Sequence, residues 1–321
     1  MRFVIRADAH AKYGAGHVMR SSVIAEELIF RGFEVVFLGN TTEIDWVNEY
    51  VETLGFSQIV TSSSEFVAHP SSDVLILDSY EINPSFQFVQ LENWSKVVVI
   101  VDNETPSFSG DLFIHAGSGT SWSPPIHSRR YDFFSGVEYI LIRKSIRDIR
   151  TQIKHERRLR PRVLITGGGA DPYKFSQEIY KILKSTQLDF DVKIAAPEFS
   201  IDVDDNRFQF LKMGRGYEDV FLKTDIVFTT AGTSSWEFIY LGLTTGIASA
   251  VPNQDSNYHF QIENSNVVGI GNRDSNGLWK LDAAIVFDLI SSANLNISLD
   301  FCSVQNKIGK GFPLIIENIT S

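Results

Sequence analysis

The chain of 321 residues carries 43% hydrophobic and 21% charged residues with a formal net charge of −10. That composition supports sizeable cores and excludes long disordered tracts, and the length favours two domains of roughly 150 residues each. The acidic balance argues against nucleic-acid backbones and anionic membranes as main partners, so any bound phosphate must be held locally by backbone N–H groups and helix N-termini.

Cys302 is the single cysteine, which rules out an internal disulfide framework and a four-thiolate metal site. The opening residues 1–8 form too short an apolar run for a signal peptide, and no stretch reaches the length of a membrane span. A cytoplasmic protein is therefore expected.

In chain order, residues 3–7 read as a strand and 17–31 as a helix. Strands follow at 34–38, 73–78 and 96–102, all apolar on both faces as buried parallel strands must be. A second series starts after Pro161, with strands at 162–166, 190–195, 225–229 and 245–249 and helices between them. The expected fold class is α/β, with two doubly wound parallel-sheet, Rossmann-like domains and a cleft between them, ligands binding beyond the carboxyl ends of the strands. The expected domains are residues 1–150 and 151–321, the second closed by a helix in the tail 302–319. Seven Lys or Arg residues between Arg147 and Arg162 read as a solvated linker.

Four loops carry chemistry. In the first, Gly14 and Gly16 permit close backbone approach and His17 stands in the first turn of a helix, whose dipole disfavours imidazolium and so suits a neutral, proton-accepting imidazole. Met19 occupies the place of a third glycine, so the loop is not a dinucleotide fingerprint. His10, His69, His115, His127, His155 and His259 show no metal-ligand spacing. In the second loop, Gly167, Gly168 and Gly169 form a strand-to-helix turn before Asp171. In the third, Gly232 admits a phosphate, Thr233, Ser234 and Ser235 offer hydroxyls, and Glu237 suits a ribose diol. Ser234-x-x-Glu237 reads equally as a capping box that satisfies the helix without a ligand. In the fourth, Asn253 and Gln254 can bond sugar hydroxyls, or form a polar loop in which Asp255 caps the next helix.

The set Arg6-x-Asp8, Gly14-x-Gly16-His17-x-x-Arg20, Asp78-Ser79-Tyr80, Gly167-Gly168-Gly169-Ala170-Asp171-Pro172, Ala231-Gly232-Thr233-Ser234-Ser235-Trp236-Glu237 and Asn253-Gln254 resembles the UDP-sugar hydrolases of pseudaminic acid biosynthesis, the PseG family, and their relatives described as spore-coat polysaccharide biosynthesis proteins. The resemblance spans nearly the whole chain. It implies a GT-B-like fold and a small-molecule UDP-sugar substrate held mainly by the second domain. It further implies metal-free and cofactor-free hydrolysis of a 2,4-diacetamido-2,4,6-trideoxy hexose, with His17 as general base. It places Glu237 on the ribose, Gly232 to Ser235 on the phosphates and the neighbourhood of Met213 on the uracil. The sequence departs from the resemblance at His10, Lys12 and Phe238, which bears on the identity of the sugar.

Two other readings compete. A GT-B glycosyltransferase would use the same nucleotide pocket with an acceptor hydroxyl; residues 1–150 carry 12 Lys or Arg against 19 Asp or Glu, which argues against a membrane-bound acceptor. A non-catalytic nucleotide-sugar binding protein would have no use for His17.

Overall fold

The computed structural model describes residues 1–115, 117, 122–125, 131–154, 160–197, 199, 205–214, 216–292 and 304–321. His127, His155 and Cys302 lie outside the described residues. The chain forms two compact units, Met1–Lys144 together with Lys307–Ser321, and Ser145–Asn306.

In the first unit, β1 (Arg2–Ala7) leads to α1 (Gly16–Phe30), β2 (Glu34–Leu38), α2 (Asp45–Thr53) and β3 (Gln58–Val60), then to β4 (Asp73–Asp78), β5 (Lys96–Val101), β6 (Leu112–His115) and β7 (Asp132–Phe134). The strands form one parallel sheet in the order β3-β2-β1-β4-β5-β6-β7. Every residue of β4 is buried and all but the first of β5, which is why both read as unbroken apolar runs. One face packs Val4, Leu38, Leu75, Val99 and Phe113 around Phe66 and Trp94.

After α3 (Lys144–Ile149), which begins at the boundary, come β8 (Arg162–Thr166), α4 (Phe175–Lys184), β9 (Asp191–Ala195), β10 (Phe208–Leu211), β11 (Ile226–Thr230), α5 (Thr233–Leu241), β12 (Thr244–Ser249), α6 (Asp255–Asn264), β13 (Val267–Arg273), β14 (Trp279–Leu281) and α7 (Ala283–Ser292). The strand order is β10-β9-β8-β11-β12-β13-β14, the same winding as in the first unit. The sheet departs from the expected all-parallel form at its edge, where β14 runs antiparallel to β13. The cause is a tight turn: Asp274 N donates to the Leu278 carbonyl at 2.8 Å, and Asp274 Oδ1 accepts from the amides of Asn276 and Leu278, each at 2.9 Å.

Two expectations change. The tail forms α8 (Phe312–Thr320), which buries Phe312, Ile315, Ile316 and Ile319 and belongs to the first unit rather than closing the second. Lys96 Nζ anchors it by donating to the Asn318 carbonyl at 2.5 Å. In the basic stretch from Arg147 to Arg162, the cations Arg150, Arg160 and Arg162 are paired rather than merely solvated. Arg150 stacks on Tyr240 at 4.2 Å, Arg160 pairs with Asp191 at 2.8 Å, and Arg162 grips Asp225 through Nε and a terminal nitrogen at 3.0 and 2.8 Å. No helix of the described residues is long and apolar enough to cross a membrane.

In each sheet the winding reverses between two neighbouring central strands, β1 and β4 in the first and β8 and β11 in the second. Loops at the carboxyl ends of such strands frame a crevice where ligands bind. The first of these ends is held in place by close packing: a Cβ on Gly39 would lie 1.7 Å from the Ala7 carbonyl oxygen. Gly39→Ala should therefore cost about 3 kcal/mol or more, since neither backbone segment can yield cheaply. Chemical denaturation of the variant checks this, and a loss below about 1 kcal/mol would show that the two loops are not locked together.

Candidate active site

At the carboxyl ends of β1 and β4, level with each other through the Ala7–Asp78 register, five side chains form one network. His17, in the first turn of α1, is 8% exposed, and its Nδ1 lies 2.5 Å from Asp78 Oδ1. Arg20, one turn later on the same helix face, donates to both oxygens of Asp78 at 2.6 and 2.7 Å. Its third nitrogen donates to Asp102 Oδ2 at 3.0 Å, and the Tyr80 hydroxyl donates to that same oxygen at 2.5 Å. The Tyr80 ring stands edge-on to the His17 imidazole at 4.3 Å.

The charges settle the tautomer. Burial opposes ionisation of Asp78, but Arg20 and then His17 outweigh it, holding the carboxyl below its usual range. Asp102 meets the same opposition from burial and is pushed down to about 2 by Arg20 and the Tyr80 hydroxyl. Burial raises the Tyr80 phenol, so it stays a donor. An ionised Asp78 accepts a proton-bearing Nδ1. The Arg20 nitrogen 3.2 Å from Nδ1 then faces an N–H and makes no hydrogen bond there, and Nε2 of His17 is left as an acceptor.

Sequence order singled out His17, Arg20, Asp78 and Tyr80, and the structure brings them together, with the polar groups of Arg20, Asp78 and Tyr80 spent within the network. Asp102 was missed, although an aspartate directly after the apolar run 96–101 is a usable signal. His115 was missed as a site group because its four-residue strand was not predicted. It is 3% exposed at the end of β6, with Nδ1 3.0 Å from the Gly117 carbonyl, and burial lowers its pKa below the ordinary value.

The other first-unit candidates hold the loop itself. Arg6 pairs with Asp8 at 2.6 Å and Asp8 Oδ1 accepts from the Asn40 amide at 2.8 Å, tying the end of β1 to the turn after β2. The Gly14 amide donates to the His10 carbonyl at 2.7 Å, so it is taken up within the loop. Gly16 is the first residue of α1, whose N-terminus no side chain caps.

In the second unit the two glycine turns follow β8 and β11, which pair directly. Gly168 has φ +88° with open space beside it, whereas a Cβ on Gly167 would strike Asp171 Oδ1 at 1.9 Å. Asp171, expected on the substrate side with Gly168 and Gly169, caps α4 instead: its two oxygens accept from the amides of Phe175 and Ser176 at 2.8 and 3.1 Å. Gly232 is the cap residue of α5, with no side-chain cap bond, and Thr233 and Ser234 are partly exposed in its first turn. Ser234 thus stands inside the helix and the capping box does not form. Ser235 is fully buried, bonding the Gly232 carbonyl at 2.7 Å and accepting from Gln261 Nε2 at 2.9 Å, which removes it from the exposed hydroxyl set. Glu237 is 4% exposed within α5 and Met213, after β10, is 9% exposed. Gln254 Oε1 accepts from the Ala250 amide at 3.1 Å, and its Nε2 lies beside Gly232. Asn253 is partly exposed in the same turn. Asp255 accepts from Ser249 Oγ at 2.6 Å and makes no cap to α6. Among the described residues no group of three or more His, Cys, Asp or Glu is placed to hold a metal ion.

No family model matches the chain. The chain is 23% identical over 270 residues to an uncharacterized protein of Methanocaldococcus jannaschii, an alignment covering 76% of this chain and 54% of that one; it spans about half the length of this relative. Among solved structures it is similar to MurG of Acinetobacter baumannii, at 12% identity and a TM-score of 0.58 over 100% of this chain and 99% of that one. It is similar also to Arabidopsis thaliana UGT89C1 complexed with UDP, at 11% identity and 0.65 over 99% and 98%, and to the spinosyn forosaminyltransferase SpnP, at 11% and 0.63 over 100% of both. Such identities establish the fold, which is GT-B-like.

The Asp102 carboxylate yields a pH prediction. Its folded value of about 2 lies below the ordinary 3.8, so its stabilisation, on the order of 2 kcal/mol, is present above pH 4 and lost as pH falls towards 2. Asp102→Asn should be less stable than the parent protein by about that amount at pH 7, with the gap closing by pH 2. Denaturation at the two pH values checks this, and a gap independent of pH would remove the ion pair as its source.

Proposed function

We propose that this chain hydrolyses a UDP-linked amino sugar to free sugar and UDP, with His17 as general base. The observation that carries the reading is the Asp78–His17 bond at 2.5 Å, with Asp78 itself gripped by Arg20. A buried carboxylate that fixes Nδ1–H leaves Nε2 to take a proton, and the edge-on Tyr80 ring limits how the imidazole can turn. In the proposed step water attacks the anomeric carbon and loses a proton to Nε2. The bond from that carbon to the diphosphate breaks, and its electron pair leaves with UDP. In the second unit, the uncapped first turn of α5 with the Thr233 and Ser234 hydroxyls, and the open turn at Gly168, supply donors suited to a diphosphate. Two nucleotide-bound neighbours, UGT89C1 complexed with UDP and SpnG complexed with thymidine diphosphate, support a nucleotide-sugar substrate. Assignment to the pseudaminic acid hydrolases, and of the sugar as a 2,4-diacetamido-2,4,6-trideoxy hexose, rests on the motif resemblance.

A second reading is a GT-B glycosyltransferase, favoured by the printed activities of SpnP and the rhamnosyltransferase SpnG. In that case His17 would deprotonate an acceptor hydroxyl instead of water. UDP release from UDP-sugars with and without added acceptors separates the two: release without acceptor at an undiminished rate supports hydrolysis.

His17→Asn should lower kcat by roughly 10² to 10⁴-fold with UDP affinity nearly unchanged. In oxygen-18 water the label should appear in the free sugar; label in UDP would place the attack at phosphorus and overturn the mechanism. The ribose role proposed for Glu237, a residue only 4% exposed, is tested apart: Glu237→Ala should weaken UDP binding about tenfold in calorimetry. Unchanged affinity would leave Glu237 as a buried helix residue.

A further inference from the structure

The loop 10–14 between β1 and α1 is built more firmly than a connection requires. His10 and Gly14 exchange both backbone hydrogen bonds, at 3.1 and 2.7 Å. Glu43 takes the Ala11 amide at 3.0 Å through one oxygen and His10 Nε2 at 3.0 Å through the other. The Lys12 amide donates to His10 Nδ1 at 3.2 Å, which leaves Nε2 as the protonated nitrogen facing Glu43. These bonds hold the loop through its backbone and the His10 ring. Tyr13 is 42% exposed, yet its ring stands edge-on to Tyr80 at 6.1 Å, and Tyr80 in turn stands against His17. Lys12 Nζ lies 4.7 Å from the centroid of the Tyr13 ring and 3.0 Å from its hydroxyl.

A half-exposed aromatic ring held against Tyr80 leaves apolar surface in water that a sugar ring can cover by packing its C–H face there. The Lys12 ammonium has donors only and occupies the lone-pair side of the Tyr13 phenol, so the phenol hydrogen is directed outward. The tip then presents two donors, one charged, beside an apolar ring. That pair fits an acceptor oxygen attached to a sugar, the carbonyl of an acetamido group or a uronate carboxylate, and offers nothing to an unsubstituted hydroxymethyl that water does not.

We propose that loop 10–14 is a sugar-recognition clamp, in which the Tyr13 ring packs on the pyranose and the Tyr13 hydroxyl with the Lys12 ammonium takes a carbonyl or carboxylate oxygen of a sugar substituent. The proposal rests on the UDP-sugar reading above and adds the determinant of which sugar is accepted.

The test uses the full chain carrying His17→Asn, so that substrates are not consumed, titrated by calorimetry with UDP, UDP-glucose, UDP-N-acetylglucosamine and UDP-glucuronic acid. One of the two substituted sugars should bind roughly tenfold or more tighter than UDP-glucose, and its identity tells acetamido from carboxylate recognition. Adding Lys12→Met and Tyr13→Phe should erase that preference while UDP affinity stays within about twofold. Equal affinities for all three sugars, or a preference that survives the double change, overturns the clamp. Failure of UDP itself to bind would overturn the nucleotide reading instead, and the clamp is then judged with free sugars: millimolar N-acetylglucosamine or glucuronic acid should shift the backbone amide resonances of loop 10–14, and no shift with either sinks it. Both side chains are exposed, so the melting temperature should hold and exclude misfolding as the cause.

Discussion

A single buried carboxylate organises the first unit. Placing Asp78 out of water at the end of a fully buried strand costs several kcal/mol unless charge and hydrogen bonds compensate. Arg20 supplies the compensation by its two-pronged grip. The remaining bonding capacity of Asp78 goes to His17. Asp102 then holds the far side of the same guanidinium and the Tyr80 hydroxyl, so Arg20 cannot leave Asp78 without abandoning a second ionised partner. The state of the imidazole is thus fixed by a chain of charges, each held by the next. The spacing His17-x-x-Arg20 is what a helix needs to aim both side chains at one strand end.

Much of this architecture was legible because buried parallel strands have no polar face. The bounds of β2, β4 and β8 were read directly from such runs, and those of β1, β11 and β12 to within one residue. β3, β6, β7 and β10 have only three or four residues each, too few for any periodicity to rise above the loop around them. The edge strand β14 depends on the turn at Asp274, which places a strand where the alternating strand-helix pattern predicts another helical crossover. The tail shows a different failure: α8 has the apolar spacing of a core helix, but spacing does not say whose core it joins.

For site residues, order in sequence located the right strand ends without telling which side chains face outward. Asp171 stands in a glycine turn and looks like a ligand group, yet the amides of α4 claim both of its oxygens. Ser235 differs from Ser234 by one position on α5 and is fully buried against Gln261. The capping box fails by a similar margin. It needs Ser234 at the cap, and the helix begins one residue before it, at Thr233. Helix starts shift by a residue on the balance of a few hydrogen bonds, which no pattern in the sequence resolves.

The two sheets repeat one winding but carry different chemistry at the same place. The reversal point of the first, between β1 and β4, is filled by side chains that hold and accept protons: His17, Asp78, Arg20 and Asp102. The reversal point of the second, between β8 and β11, offers backbone: Gly168 in a left-handed turn with open space, and Gly232 at a helix start that no side chain caps. The net charge of −10 gives this division a physical reason. A diphosphate approaching an acidic protein gains little from its overall field, so attraction must come from amides converging at short range, where glycine lets the backbone approach. Side chains do the work at the first sheet instead, where the ionised Asp78 holds the His17 imidazole by Nδ1 and Arg20 grips Asp78. Under the proposed function, proton acceptance thus falls to the side chains of the first sheet, and the diphosphate to the backbone turns of the second.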